Sequence, residues 1–228
     1  MLGLIDLSTE GLLHLVLLIP PLLLSLTIHE FAHARTALAF GDPTARNMGR
    51  CSLNPLVHLD PMGTLCIVIT GFGWAKPVPV NVYNLEPPKM GSLAVSLAGP
   101  LSNLMLAAVA SLLLRAWFLT AGRIGPTAYD LGQMILWRTA TVNVILCVFN
   151  LVPLYPLDGH HIARDVLPGH RQGEFMHWQV RFGPVLLMAL LFGPRLLRMM
   201  SRSADIPDPL GWLFQNVGGL ILRALLSF

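Results

Sequence analysis

The sequence contains little charge. Only 12% of its 228 residues are charged, against about one quarter in soluble domains, while 54% are hydrophobic and the mean hydropathy is +0.63. This balance excludes a soluble globular domain and indicates a protein with several membrane-spanning segments. It also excludes a nucleic-acid partner, because the net charge of +3 is spread over many loops and forms no basic cluster.

Cysteine is equally scarce. Cys51, Cys66 and Cys147 show no CxxC spacing and cannot all pair, so we interpret them as thiols without a role in metal binding. The N-terminus lacks the basic region and the cleavage site of a secretory signal peptide, and we predict no removable leader. Metal or acid-base chemistry must therefore come from histidine and carboxylate residues.

One short motif, His29-Glu30-Phe31-Ala32-His33, carries such chemistry. It follows directly on 11–28, which contains no Asp, Glu, Lys or Arg. On a helix, positions i and i+4 share one face, so both imidazoles can bind a single zinc ion while the carboxylate stays free. We predict His29 and His33 as metal ligands and Glu30 as general base. The alternative is a polar cluster where a helix meets water, but ionisable groups inside a membrane span usually serve a site or a pathway.

A companion motif runs from residue 150 to residue 161, at the end of a later apolar stretch. Its two prolines break the helix, and Asp158-Gly159 predicts a tight turn that points a carboxylate towards the membrane interior. Asp158 is our choice as third protein ligand, because catalytic zinc takes three protein ligands and one open position. The rivals are His160, His161 and Asp60, which are explained more simply as interfacial histidines and as a solvated or capping carboxylate.

Two asparagines in the apolar stretches need hydrogen-bond partners. Asn150 lies two helical turns before Asp158, and we predict that it donates to the oxyanion of a tetrahedral intermediate, with helix packing as the alternative. For Asn103 the alternatives are a hydrogen bond across a helix interface and contact with a substrate, and we favour the interface.

The apolar stretches predict an all-α membrane protein, a polytopic helical bundle of about five to six membrane segments in a single domain, 1–228. Its core covers about 11–165, and framework helices cover about 175–228. Long spans are expected at about 11–40, 91–119, 131–152, 175–199 and 210–228.

A re-entrant or extended element is predicted between the first two core helices. The apolar run 62–72 is too short to span, and the prolines in 76–80 favour extended backbone. The edge of such a segment could accept a substrate as an added strand, with a plain packed loop as the alternative.

The sidedness of the protein follows from its basic residues. His29 to His33 and Asp158 lie near the ends of the first and third spans, so those ends share one side of the membrane. The basic residues assigned to that side are Arg35, Arg46, Arg50, Lys76, Lys89, Arg164, Arg171 and Arg181, and those assigned to the other are Arg115, Arg123, Arg138, Arg195, Arg198 and Arg202. The positive-inside tendency favours a cytoplasmic catalytic side in the plasma (inner) membrane.

Taken together, the motifs resemble the site-2 protease family of intramembrane zinc metalloproteases, above all its small bacterial members without a regulatory domain. The resemblance covers about 25–165. The segments that carry it are 29–33, 41–46, 49–50, 53–56, 58–61, 71–80, 99–103 and 150–159. This chain departs from the family pattern at Tyr155 and at His160-His161, and neither departure removes a ligand.

The resemblance implies one Zn²⁺ per chain, held by His29, His33 and Asp158, with Glu30 as general base and Asn150 near the substrate carbonyl. It implies an endopeptidase that cleaves in or near transmembrane segments, the reaction of regulated intramembrane proteolysis.

The partners expected are the lipid bilayer and single-pass transmembrane substrates with helix-weakening residues near the cytoplasmic end, because a helical peptide bond is shielded by its own hydrogen bonds. A zinc-binding protein without catalysis and a metal transporter are the other hypotheses. Glu30 argues against the first, and the few polar residues in the later spans argue against the second.

Overall fold

A computed structural model of the chain describes residues 9–70, 73–123, 125–201 and 206–227. Within these residues the regular structure is helical and contains no strand longer than a single bridge, which confirms the predicted all-α class. The helices are α1 Thr9–Ala39, α2 Thr44–Asn47, α3 Pro61–Thr70, α4 Pro88–Phe118, α5 Pro126–Asn150, α6 Asp158–Val166, α7 Gly169–Ser201, α8 Pro209–Leu213 and α9 Gly219–Leu226.

Four of the described helices are long and apolar enough to cross a membrane, which takes about twenty apolar residues. They are Val16–Ala39 of α1 and the whole of α4, α5 and α7. These are four of the five predicted spans, with α5 and α7 each beginning several residues earlier than the sequence indicated. The chain is therefore a multi-pass membrane protein.

The fifth predicted span is an irregular helical stretch. It consists of α8, a wider helical turn at Phe214–Gly218 and α9. Apolar side chains of the last two pack on a buried cluster formed by Ala107 of α4 and by Val144 and Val148 of α5. This stretch therefore packs against both α4 and α5.

The segment between α1 and α4 contains α2, α3 and two short 3₁₀ turns, Pro55–Val57 and Val82–Asn84. With ten residues, α3 is too short to span, as predicted for a re-entrant or interfacial element. Residues 76–80 have no helical structure, as their prolines indicated. Gly71 and Phe72, at the start of the predicted extended stretch, lie outside the described residues.

Asp42 ties this segment together just beyond the end of α1. Its carboxylate is fully buried and accepts hydrogen bonds from the Thr44 hydroxyl (2.5 Å), the Asn81 N–H (2.7 Å) and the Asn84 amide (2.9 Å). Burial raises the pKa of Asp42, but the hydrogen bonds from Thr44, Asn84 and Asn81 outweigh it, and the net pKa lies below its ordinary value. The charge is thus held where the chain turns back towards α4.

Candidate metal centre

His29 and His33 project from one face of α1, as their spacing requires. Both are buried, with exposed fractions of 6% and 8%. Their Nε2 atoms lie 3.1 Å apart, and their ring planes are nearly perpendicular. The two Nε2 atoms therefore lie close together beside a buried face of a membrane-spanning helix.

The carboxylate of Asp158, at the start of α6, lies next to the same two nitrogens. Its Oδ2 lies 3.2 Å from His29 Nε2 and its Oδ1 lies 3.4 Å from His33 Nε2. Within the described residues these three form a group whose donor atoms could hold one metal ion. The structure thus brings together the three residues that the sequence singled out, although they are up to 129 positions apart.

The backbone at Asp158 differs from the expectation. We expected Asp158-Gly159 to form a tight turn, and this was wrong, because these residues begin helix α6. The chain reverses instead in 151–157, after α5 ends at Asn150. A Cβ on Gly159 would lie only 2.4 Å from the Val152 carbonyl oxygen, so the glycine lets α6 begin directly against this turn.

Two neighbours hold the turn and α6 in place. The buried amide of Gln179 on α7 accepts from the Tyr155 N–H (2.9 Å) and donates to the Pro153 carbonyl (2.8 Å). Arg164 of α6 donates to the hydroxyl of Ser92 on α4 (2.6 Å). The position of the Asp158 carboxylate is therefore determined by α4 and α7 as well as by its own loop.

The far side of each imidazole is also hydrogen-bonded. His33 Nδ1 lies 2.7 Å from the Val95 carbonyl oxygen, and His29 Nδ1 lies 2.7 Å from the side-chain oxygen of Asn103. A carbonyl oxygen only accepts, so each Nδ1 donates its hydrogen, and each ring in its neutral form keeps a lone pair on Nε2. Asn103 thus bonds across the α1–α4 interface, which is the alternative that we favoured.

These facts fit a bound cation. The two Nε2 lone pairs face an Asp158 oxygen that is buried and receives no hydrogen bond from any described residue. Three electron-rich atoms at this separation repel one another unless a proton or a metal ion lies among them. The separations of 3.1 to 3.4 Å are close to the edge of a zinc tetrahedron, about 3.3 Å for ligand bonds of about 2.05 Å.

Gly99 of α4 leaves the room that a metal needs. A Cβ at this position would lie 2.4 Å from His33 Nε2 and 2.7 Å from His29 Nε2. Any side chain would therefore occupy the space between the two rings. Two imidazoles and a carboxylate form a donor set typical of catalytic zinc, and the residues present fit that ion.

The charges around α6 agree with this arrangement. Burial raises the pKa of Asp158, but positive charge on the neighbouring imidazoles of His33 and His29 lowers it well below its ordinary range, and a cation among the three groups acts in the same direction. Burial lowers the pKa of His161 to about 4 and also lowers the pKa of His160, which disfavours a positive charge on either ring. The Asp158 carboxylate is thus ionised when positive charge lies beside it.

Glu30 lies beside the cluster and is also buried, with 8% of its surface exposed. Its Oε2 accepts a hydrogen bond from the backbone N–H of Val78, at 3.1 Å. Val78 belongs to the extended stretch between α3 and α4, so this stretch reaches the candidate general base. The sequence indicated both Glu30 and the extended stretch 76–80, but it did not predict that they are in contact.

The remaining candidates have other partners. The Asn150 amide donates to the Leu146 carbonyl one turn earlier (3.0 Å), and its oxyanion role stays a prediction. His160 is buried, and its Nδ1 donates to the Leu157 carbonyl. Asp60 accepts from the Gly63 N–H (2.8 Å) at the start of α3, so it is a capping carboxylate.

Sequence reasoning missed Asn143. This residue lies in the second half of α5, is fully buried and accepts a hydrogen bond from Asn103. The available signal was an amide within an apolar span, where an unpartnered polar group is costly. Gly99 and Gln179 gave no comparable signal.

Comparison with known proteins places the chain in a family. Residues 119–191 match the model of peptidase family M50. YwhC of Bacillus subtilis (strain 168), named as a candidate zinc metalloprotease, is 41% identical over 160 residues, which cover 66% of this chain and 69% of that protein. Rip2 of Mycolicibacterium smegmatis, named in the same way, is 30% identical over 192 residues, with 80% and 69% covered.

A further relative is Rip2 of Mycobacterium tuberculosis (strain H37Rv), also named as a candidate zinc metalloprotease. It is 32% identical over 190 residues, which cover 79% of this chain and 68% of that protein. No solved structure matches the chain. The extent and identity of these matches confirm the resemblance carried by the motifs: the chain belongs to peptidase family M50, the site-2 protease family of zinc metalloproteases.

Proposed function

We propose that this zinc metalloprotease hydrolyses peptide bonds in or near the transmembrane segments of membrane proteins. The observation that carries the proposal is the convergence of Asp158 on His29 and His33, which lie in a spanning helix. His29 lies ten residues before the end of α1, or roughly 15 Å along the axis at 1.5 Å per residue. A peptide bond cleaved there must come from a segment that enters the membrane.

The side chains have distinct tasks in this reaction. His29 and His33 would hold zinc through Nε2, and Asp158 through a carboxylate oxygen. When bound, zinc lowers the pKa of a coordinated water and polarises the scissile carbonyl. Glu30 takes a proton from the attacking water and later donates it to the leaving amine. The Val78 N–H holds the Glu30 carboxylate in position for both transfers.

The extended stretch 76–80 supports a role in substrate binding. A transmembrane helix must unwind before it is cut, because its peptide bonds are otherwise engaged in its own hydrogen bonds. Extended backbone next to Glu30 offers groups with which an unwound strand can pair. We therefore expect single-pass substrates whose spans contain helix-weakening residues on the side of the membrane that holds the metal centre.

Cleavage assays with the chain in liposomes test this function. We expect wild type, but not Glu30→Gln, to cut a single-pass substrate at a bond that mass spectrometry maps to its membrane segment, and Glu30→Gln to bind zinc normally. Glu174→Gln, the same change at an exposed site on α7, serves as the matched control. Loss of zinc from His33→Ala and Asp158→Ala tests the ligands separately. Equal cleavage by wild type and Glu30→Gln would contradict the proposal.

The metal side is proposed to face the cytoplasm, in line with the positive-inside tendency. The sequence offers a direct test, because Lys76 and Lys89 are its only two lysines. Both are exposed, and both lie between α3 and the first turn of α4. An impermeant amine reagent should label these two peptides in inverted vesicles but not in intact cells. Labelling in intact cells would reverse the assignment.

A further inference from the structure

Three buried polar residues connect α1, α4 and α5 in the interior of the bundle. Ser25, Asn103 and Asn143 have no exposed surface, and all three lie in membrane-spanning helices. Such groups are costly in an apolar environment unless their hydrogen bonds are made. The pattern of those bonds runs in one direction and ends at His29.

The chain of bonds starts at backbone carbonyls, which can only accept. The Asn143 amide donates one hydrogen to the Thr139 carbonyl (2.8 Å) and the other to Ser25 Oγ (2.7 Å). Ser25 Oγ in turn donates its hydrogen to the Pro21 carbonyl (2.6 Å). Both amide hydrogens of Asn143 are therefore used, and its Oδ1 must point elsewhere as an acceptor.

Asn143 Oδ1 accepts from the Asn103 amide nitrogen at 2.8 Å. The second amide hydrogen of Asn103 goes to the Ser25 carbonyl over a longer distance, 3.3 Å. With its nitrogen committed in this direction, Asn103 presents its oxygen to His29 Nδ1, 2.7 Å away. His29 Nδ1 must then carry the hydrogen.

This direction matters for metal binding. A neutral imidazole carries one N–H, and the partner of one nitrogen decides which tautomer is present. With the hydrogen on Nδ1, the lone pair of His29 is on Nε2, the atom that faces His33 and Asp158. If the Asn103 amide were reversed, Nδ1 would accept and an Nε2–H would point into the metal site.

We propose that Asn143 is a positioning residue of the metal centre, which fixes the orientation of the Asn103 amide and through it the metal-binding tautomer of His29. Asn143 itself does not ligate the metal. The inference rests on the proposed metal site and extends it to α5, the helix that also leads to Asp158.

Zinc affinity of the full-length protein in detergent, measured by competition with a chelator, tests this inference. We expect Asn143→Leu, which is similar in size but cannot accept, to bind zinc about 10-fold or more weakly, in the range found for lost partners of a metal ligand. The longer hydrogen bond from Asn103 to the Ser25 carbonyl still favours the same orientation of the Asn103 amide, which limits the loss of zinc affinity.

Thr141→Val, two residues away on α5, is the control, because the buried Thr141 hydroxyl has no hydrogen-bond partner among the described residues. This control should bind zinc as wild type does.

A double variant separates the proposed role from packing. In Asn103→Asp/Asn143→Leu, either carboxylate oxygen at position 103 accepts from His29 Nδ1, so no group on α5 is needed to orient it. We expect zinc affinity within about threefold of wild type, since a carboxylate is itself a common partner of a metal-bound histidine. Rescue of this kind would not follow if Asn143 served only to pack α5 against α4.

The outcomes are distinct. Failure of the wild-type protein to bind zinc would overturn the metal site and the inference together. Normal zinc binding by Asn143→Leu would overturn the inference alone. Binding by the double variant as weak as that of Asn143→Leu would show that Asn143 acts through packing, which also overturns it.

Discussion

Helices α4 and α7 are similar in length and hydropathy, and both can span a membrane, yet they bury different side chains. The buried residues of α4 are Gly91, Ser92, Val95, Ser96, Gly99, Pro100, Asn103, Ala107, Ala110, Ser111 and Leu114. Those described for α7 are Gln179, Gly183, Leu187 and Pro194. The buried face of α4 is mostly small or polar, whereas most of α7 is exposed, with many apolar side chains among its exposed residues.

The difference shows where chemistry is placed in a membrane protein. Hydropathy does not separate the two helices, because both present apolar side chains to lipid. What distinguishes α4 is that small residues allow close approach to α1 while polar groups meet the histidines. Helix α7 contributes at one point, where its buried Gln179 holds the loop that leads to Asp158.

The largest effect is expected at the closest approach of α4 to the metal centre. Gly99→Ala would place a methyl group between the two imidazoles. We expect zinc affinity to fall by more than about 100-fold, beyond the loss typical of removing a ligand's hydrogen-bond partner, and cleavage to fall with it. The control is Gly193→Ala on α7, where a Cβ meets no atom within 4 Å. Chelator competition measures both, and unchanged binding by Gly99→Ala would show that α4 does not shape the site.

The contribution of α7 can be removed at a single position. Gln179→Leu leaves the Tyr155 N–H and the Pro153 carbonyl without their partner. A buried unsatisfied group costs about 1–3 kcal/mol, so we expect a loss of that size in the free energy of unfolding in detergent, with reduced cleavage at saturating zinc. Met188→Leu, on the exposed part of α7, should change neither. An unaltered unfolding curve for Gln179→Leu would show that α7 does not stabilise the loop before Asp158.

Asp42 is a buried polar group that lies outside the membrane spans. The pKa of Asp42 is lower in the folded protein than in the unfolded chain, so its stabilising effect is present above about pH 4 and is lost as the pH falls through the folded pKa. We expect Asp42→Asn to remove this part of the pH dependence and to lower stability at neutral pH by about 1–3 kcal/mol. Unfolding midpoints measured against pH test this.

Asp130→Asn is the control for Asp42→Asn, because Asp130 is exposed in the first turns of α5. It should leave the stability and its dependence on pH unchanged. If Asp42→Asn also left the stability and its pH dependence unchanged, the hydrogen bonds of Asp42 would not stabilise the segment between α1 and α4.

The smallest effect is expected on the exposed face of α7. Val185 is 68% exposed, and Val185→Leu should change the free energy of unfolding by less than about 0.5 kcal/mol, because surface substitutions away from special features are nearly neutral. The unfolding assay in detergent that is used for Gln179→Leu measures this free energy. A clear loss would mean that this face packs against something other than lipid.

Much of the metal centre could be predicted from the sequence because its signals are local. The i, i+4 spacing of His29 and His33 defines a helix face, and the prolines after Asn150 indicate where α5 ends. The conformation at Asp158 could not be predicted, because aspartate followed by glycine is as compatible with the first turn of a helix as with a tight turn. The helical conformation at Asp158 accompanies the close packing of Gly159 on the preceding loop, which only the structure shows.

Local sequence therefore determined that the chain lies in a membrane, where its spans fall and which ionisable residues they carry, because composition and spacing are properties of short stretches. Tertiary structure alone decided that Gly99 faces the imidazoles, that Asn143 orients Asn103 and that Val78 holds Glu30. These contacts join residues 40 or more positions apart, and they depend on how each helix is rotated about its axis. Where apolar residues surround a helix on all sides, sequence periodicity does not encode that rotation, and only the packing of one helix against another sets it.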